Sequence, residues 1–193
     1  NNLLDPEEIE AAKGSMSSFA FRQEFLASFE AAGGAIFSED WIEFDTEEPD
    51  EGDYYISVDL AGFADIEKAT TSKQKKLDTT SISVVKAGPD GWWVDNVIYG
   101  RWDVKKTADK IFQAVRDYQP IAVGVEKGAL KNAVHPYLLD RMKQEQFFFR
   151  VEELTHGNKR KTDRIIWALQ GRFEHGQITL NEGEWNTEFL DQL

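Results

Sequence analysis

Two acidic residues occupy positions where a charge is expensive to keep. Asp59 lies within an apolar run, between Val58 and Leu60, and Glu126 directly follows the apolar run 121–125. A carboxylate at such a place costs free energy to desolvate unless it is paired, protonated or bound to a metal ion. The pattern allows two interpretations: a metal-binding pair, or two solvated acids that end strands or cap turns.

A metal-binding pair would define the chemistry of the protein. Oxygen ligands without histidine or cysteine suit Mg²⁺ or Mn²⁺. Two such ions, about 3.5–4 Å apart, activate a water molecule and stabilise the leaving oxygen during phosphodiester hydrolysis. On this interpretation, Asp59 and Glu126 predict two bound Mg²⁺ or Mn²⁺ ions and hydrolysis without a covalent intermediate.

The elements that must position Asp59 are predicted to be strands. Residues 54–61 are rich in β-forming side chains, 78–86 alternate between apolar and polar, and 92–102 return after a turn at 88–91. Three successive strands of this kind favour an antiparallel meander.

The elements around Glu126 alternate between helix and strand. Apolar residues at helical spacing indicate an amphipathic helix over 104–118, and 121–125 is typical of a buried parallel strand. Later elements are predicted as a helix at 129–144, a strand at 147–151, a helix at 162–174 and a strand at 177–180. The order predicts an α/β fold with a mixed sheet flanked by helices. If the first and fourth strands are neighbours, Asp59 and Glu126 face each other at one edge of the sheet.

Composition excludes several other kinds of site. The chain has no cysteine, so disulfides and thiolate–metal sites are excluded, and its three histidines lack zinc-binding spacing. No apolar run approaches the ~20 residues of a membrane span, and no signal peptide is visible. We therefore expect a soluble intracellular protein without a membrane partner.

The net charge of −13 is concentrated in one part of the chain. Residues 1–53 hold 15 acidic and 2 basic residues, whereas residues 54–193 hold 20 of each. This asymmetry predicts an acidic N-terminal arm or linker over 1–53 and a neutral main domain over 54–193. The arm is either an appendage, such as the tail of a preceding domain, or a segment that packs on the main domain. A neutral domain with basic loops is compatible with nucleic-acid binding.

Two basic clusters are candidates for contact with a phosphate backbone. The first lies in the loop after the strand of Asp59, and the second lies at the start of a predicted helix, where exposed N–H groups also favour phosphate. The predicted DNA-binding residues are Lys73, Lys75, Lys76, Lys159, Arg160, Lys161 and Arg164. The alternative is that both clusters are solvated charge runs.

Several segments in order resemble the nuclease domain of tailed-bacteriophage terminase large subunits. They include residues 56–62 (ISVDLAG), 78–82 (DTTSI) and 123–126 (VGVE). Segments 161–165, 169–173 and 176–178, together with the leading 21–25 (FRQEF), are also similar to that family. The resemblance covers roughly residues 19–193, and its specificity lies in the order and spacing of individually weak motifs.

The resemblance implies an RNase H-like nuclease fold and cleavage of concatemeric viral DNA during genome packaging in the host cell cytoplasm. It assigns the catalytic, metal-bridging carboxylates to Asp59 and Glu126, and it suggests Asp78 as an accessory metal ligand. Implied partners are double-stranded DNA, the packaging motor ATPase, the portal and the small terminase subunit. The family's third catalytic Asp is expected beyond Leu193, and no GxxxxGKS/T phosphate loop occurs in the chain.

Two alternatives to a packaging nuclease remain open at this point. One keeps the fold and changes the substrate, as in a junction resolvase or another RNase H-like nuclease. The other is a docking module without catalysis, in which the acidic arm contacts a portal or motor. Metal binding at Asp59 and Glu126 distinguishes an enzyme from a docking module.

Overall fold

A computed structural model of the chain describes residues 6–18, 21, 37–61, 79–155 and 161–191. The helices within these ranges are α1 (Pro6–Ser15), α2 (Val104–Tyr118), α3 (Ala129–Glu145), α4 (Lys161–Ile165), α5 (Gly171–Glu174) and α6 (Asn186–Leu190). The strands are β1 (Glu43–Phe44), β2 (Asp53–Asp59), β3 (Thr80–Gly88), β4 (Gly91–Gly100), β5 (Ala122–Glu126), β6 (Val151–Leu154) and β7 (Ile178–Leu180). A 3₁₀ turn (Glu39–Trp41) precedes β1, and a π-helical segment (Ile166–Gln170) joins α4 to α5.

The strands form a mixed seven-stranded sheet in the order β1-β7-β4-β3-β2-β5-β6. Strand β2 is antiparallel to β3 and parallel to β5, and β5 is parallel to β6. Strands β3 and β4 are neighbours joined by the two residues 89–90, a connection that only an antiparallel pair can make. The predicted α/β class, the mixed sheet and the three-stranded meander are therefore confirmed.

The chain divides into two compact units. The first comprises Asn1–Glu47, Asp90–Trp93 and Gly157–Leu193, and the second comprises Glu48–Pro89 and Val94–His156. The predicted division into an acidic arm over 1–53 and a main domain over 54–193 stays a prediction. The described part of the predicted arm contains α1, the 3₁₀ turn and β1, and β1 pairs in parallel with β7. Its last residue, Asp53, is the first residue of β2.

The second unit has its core on one face of the sheet. Alternate residues of β2, β3 and β5 are buried there, as the period-2 pattern of strands requires. The strand and helix residues of this core are Ile56, Val58, Ile82, Val84, Val123, Val125, Ala108, Ile111, Phe112, Ala114, Val115, Val134, Leu138 and Met142. Helix α2, predicted from its apolar spacing, begins at the Asp103 cap, whose carboxylate accepts a 2.6 Å hydrogen bond from the Lys106 N–H.

The strand predicted at 147–151 is wrong in its position. Strand β6 covers Val151–Leu154, and the rings of Phe147 and Phe149 instead pack on Phe112, with centroid distances of 5.9 and 6.1 Å. These two rings are partly buried and pack against the core, and Phe148 between them is 64% exposed. Because Phe147 and Phe149 pack on α2, the ladder between β6 and β5 begins only at Val151.

The first unit is held together by contacts among its three segments. The Trp93 indole donates to the backbone oxygen of Asp45 at 2.8 Å, and the Phe37 ring meets Phe173 edge-on at 5.6 Å. The Glu174 carboxylate accepts from the N–H of Ser18 at 2.8 Å. The helix predicted over 162–174 is present from Lys161 to Glu174, with the π-helical segment in its middle. Among the helices described, none has the length and apolar character to cross a membrane.

Candidate functional site

Asp59 and Glu126 are the last residues of two neighbouring parallel strands. The ladder between β2 and β5 runs from Tyr55 opposite Ala122 to Val58 opposite Val125. The next residue on each strand is one of the two acids. Adjacent strands lie about 4.8 Å apart, so the two carboxylates leave the same edge of the sheet side by side. The expected adjacency of the first and fourth strands is confirmed.

Both acids also point to the same face of the sheet. Val58 and Val125 are buried in the core, with 2% and 1% of their surface exposed, and side chains alternate between faces along each strand. Asp59 and Glu126 therefore lie on the face opposite the core, and both are exposed. Their placement fits a site that must reach a large substrate.

The backbone of Glu126 is held on its outer side by β6. Glu126 is opposite Leu154 in the parallel ladder, and the N–H of Lys127 donates to the Leu154 oxygen at 2.9 Å. The Leu154 side chain lies over Gly124, where an added Cβ would approach Leu154 Cδ1 to 2.8 Å. Strand pairing therefore continues one residue beyond Glu126, which fixes the direction of its side chain.

The backbone beyond Asp59 is held by a side chain of β3. Asp59 is opposite Ser81 in the antiparallel ladder, and the N–H of Ala61 donates to Thr80 Oγ1 at 3.1 Å. Thr80 has 0% of its surface exposed. Sequence analysis did not single out Thr80. The sequence did indicate its burial, because Thr80 shares the alternating pattern of β3 with the apolar residues Ile82 and Val84.

The pair fits a hard divalent cation as part of a ligand set. Two carboxylates from adjacent strand ends supply the oxygen donors that Mg²⁺ and Mn²⁺ prefer. The residues that the structure describes contain no group of three or more His, Cys, Asp or Glu side chains able to hold a metal ion. Asp78, the predicted accessory ligand, lies outside the described residues. Mg²⁺ usually keeps several waters, so one or two carboxylates are often its only protein ligands.

Most of the predicted DNA-binding residues lie outside the described part of the chain. Lys73, Lys75, Lys76, Lys159 and Arg160 lie outside the described ranges, and of Lys161 only the backbone position at the start of α4 is described. Arg164 lies in the first unit, whereas the two carboxylates lie in the second. The Nε of Arg164 is buried and has no hydrogen-bond partner within the described part of the chain. The roles of all seven residues stay predictions.

The fold of the chain was compared with known proteins. No protein-family model and no curated protein sequence matches the chain. Solved structures do match, and their likeness to this chain lies in the fold.

Three of the similar structures are from terminases. The large terminase of a thermophilic bacteriophage, in complex with ATP-γ-S, matches with a TM-score of 0.63 and 14% identity over 94% of this chain and 42% of its own. The large terminase nuclease of another thermophilic phage, with bound magnesium, matches with a TM-score of 0.54 and 14% identity, covering 80% of this chain and 77% of its own. The human cytomegalovirus terminase nuclease domain, manganese-soaked and inhibitor-bound, gives 0.51 and 13%, covering 82% and 86%.

These matches establish the fold. The chain has the RNase H-like fold in the form found in terminase nuclease domains, which confirms the resemblance seen in the motifs. It spans about two fifths of the length of the phage large terminase with which it aligns. At identities of 13–14%, the likeness concerns the arrangement of the backbone.

Proposed function

We propose that this chain is a divalent-metal-dependent endonuclease domain that cleaves double-stranded DNA. The observation that carries the proposal is the parallel register of β2 and β5, which brings Asp59 and Glu126 to one edge and one face of the sheet. Support also comes from the fold, because two of the similar structures are terminase nucleases, one with bound magnesium and one soaked in manganese.

The chain's own residues would act by binding and orientation. Asp59 and Glu126 would hold the cations, and the strand ladders on either side would keep their oxygens fixed before substrate arrives. A bound pair of Mg²⁺ or Mn²⁺ ions would supply Lewis-acid stabilisation and a water nucleophile at neutral pH. The face opposite the core would receive the phosphodiester, and the predicted basic residues would hold the flanking phosphates.

The biological setting that we propose is packaging of a viral genome. Here the domain would cut concatemeric DNA in the host cell cytoplasm, working with a motor ATPase, a portal and a small terminase subunit. The fold supports this setting, since one of the similar structures is a large terminase in complex with ATP-γ-S. The two carboxylates support the nuclease activity independently of the setting.

The test is nicking of supercoiled plasmid by the purified chain with Mn²⁺, Mg²⁺ or EDTA. We expect cleavage with either metal and none with EDTA. Asp59→Asn and Glu126→Gln should each reduce the rate by about 100-fold or more, because each removes a charged metal ligand. These substitutions keep the size of the side chain and remove only its charge.

Asp53→Asn is the matched control. Asp53 is an exposed acid on the same strand and the same face as Asp59, at the other end of β2. Its variant should cut at the parental rate. Equal loss in all three variants would contradict the assignment to the Asp59–Glu126 edge, and a parent that binds no metal and cuts no DNA would favour a docking module.

A further inference from the structure

Thr80 is a buried polar residue at the point where β2 and β3 separate. The antiparallel ladder between β2 and β3 ends where Asp59 lies opposite Ser81, and Thr80 is the residue before Ser81 on β3. Just past the end of this ladder, the Thr80 hydroxyl accepts a hydrogen bond from the N–H of Ala61 at 3.1 Å.

The hydrogen bond between Ala61 and Thr80 is buried, so its loss would be costly. Thr80 is 0% exposed and Ala61 is 3% exposed, so water has little access to either group. A buried backbone N–H needs an acceptor, and loss of that acceptor leaves an unsatisfied donor. The hydroxyl of Thr80 therefore holds the chain two residues after Asp59 in place.

We propose that Thr80 is a positioning residue for the Asp59 carboxylate. On the other side of the site, the Glu126 backbone is held by a ladder bond beyond its own strand end, from Lys127 N–H to the Leu154 oxygen. Asp59 has the Thr80 bond in the equivalent place. Each acid is thus followed by a backbone N–H that donates a hydrogen bond just past the strand end. The acceptor is a backbone oxygen after Glu126 and a side-chain hydroxyl after Asp59. This inference rests on the proposed function, since it concerns the same carboxylates.

The chain offers a matched control for Thr80 in Thr107. Thr107 lies on α2 in the same unit, is also 0% exposed, and its Oγ1 has no hydrogen-bond partner among the described residues. Valine has the shape of threonine without the hydroxyl. Thr80→Val and Thr107→Val therefore remove the same atom from two equally buried sites, and only the first removal affects the backbone next to Asp59.

The experiment measures two quantities in the full chain. The first is hydrogen exchange of the Ala61 amide by NMR without metal, and the second is the Kd for Mn²⁺ by calorimetry. In Thr80→Val we expect Ala61 exchange to accelerate at least about 10-fold and the Mn²⁺ Kd to rise about 10-fold or more. Thr107→Val should change neither quantity. Thr80→Ser and Thr80→Ala, which differ from each other only by the hydroxyl, should bind Mn²⁺ well and poorly, respectively.

The outcomes separate this inference from the function on which it rests. If the parent binds Mn²⁺ and Thr80→Val matches it in Kd, Thr80 has no positioning role. If Thr80→Val does not fold, the Ser and Ala variants decide, and equal Mn²⁺ affinity in those two overturns the proposal. A parent that binds no Mn²⁺ refutes the proposed metal site itself, and the positioning role with it, whatever the Ala61 amide does.

Discussion

The ammonium group of Lys86 lies 2.7 Å from Oε1 of Glu48, although the Lys86 side chain is only 10% exposed. Lys86 also donates to the backbone oxygen of Pro49 and lies 5.6 Å from the centre of the Tyr54 ring. A nearly buried ammonium requires such partners, because an unpaired charge in this position would be costly. The contacts fasten the acidic segment before β2 to strand β3, and the contact with Lys86 lowers the pKa of Glu48.

Acid should weaken the attachment of Glu48. The hydrogen bonds from Lys86 and Tyr54 hold the pKa of Glu48 below its ordinary value of 4.5. The resulting stabilisation is fully present above pH 4.5 and is lost as the pH falls through the lowered pKa. We expect Glu48→Gln to be less stable than the parent at neutral pH by about 1 kcal/mol or less, since Glu48 is half exposed. Urea unfolding at decreasing pH should show this difference shrinking below pH 4.5.

The same comparison in a Lys86→Met background is the control for Glu48. Without the ammonium group, the pH-dependent part of the difference should be smaller. An identical pH dependence with and without Lys86 would contradict the view that Lys86 is the main cause of the shift.

Alkali should act on Tyr54. Burial, and then the hydrogen bond to Glu48, raise the pKa of Tyr54 far above its ordinary value of 10.0. The contribution of the neutral phenol is fully present below pH 10 and is lost as the pH rises towards the raised pKa, because the unfolded chain ionises first. We expect the parent to lose stability above pH 10 more steeply than Tyr54→Phe, as measured by urea unfolding. Parallel loss in the two proteins would contradict this prediction.

A close approach in the first unit predicts a strong effect of one methyl group. A Cβ on Gly171 would lie 2.5 Å from the Ser17 nitrogen and 2.7 Å from the Met16 carbonyl carbon, both backbone atoms that cannot rotate away. Gly171→Ala should therefore lower the free energy of unfolding by about 1–3 kcal/mol. Thermal and urea unfolding measure this directly.

Gly14→Ala is the matched control for Gly171. Gly14 also lies in a helix of the first unit, and an added Cβ there would meet no atom within 4 Å. Because alanine is the better helix former, this variant should be neutral or more stable by up to about 1 kcal/mol. Equal destabilisation by both substitutions would mean that the contact between Gly171 and residues 16–17 is not made in solution.

The predictable part of the fold is the part encoded in local periodicity. The alternation of Thr80, Ile82 and Val84 predicted β3, and the apolar spacing of 104–118 predicted α2. Both patterns arise because one face of each element packs on the same core. The position of Asp59 and Glu126 at strand ends followed from the same patterns. The adjacency of β2 and β5 could not be predicted in this way, because strand pairing depends on contacts between distant parts of the sequence.

The features missed by sequence analysis depend on tertiary contacts. Strand β1 has two residues inside an acidic segment, and only its pairing with β7 makes it a strand. Strand β6 begins later than predicted because Phe147 and Phe149 pack on α2. The role of Thr80 depends on an N–H donor 19 residues earlier in the chain, which no local pattern reveals.

The most direct test of the metal site is a map of where Mn²⁺ binds, obtained from paramagnetic broadening of backbone amide signals. Broadening is predicted at residues 58–61 and 125–128, around Asp59 and Glu126. Asp53, at the far end of β2 and about 20 Å away at the usual rise per residue, should be unaffected. Asp59→Asn should remove the effect at both strand ends. Broadening centred on the acidic segment 39–53, or unchanged by Asp59→Asn, would contradict the assignment of a metal site to Asp59 and Glu126.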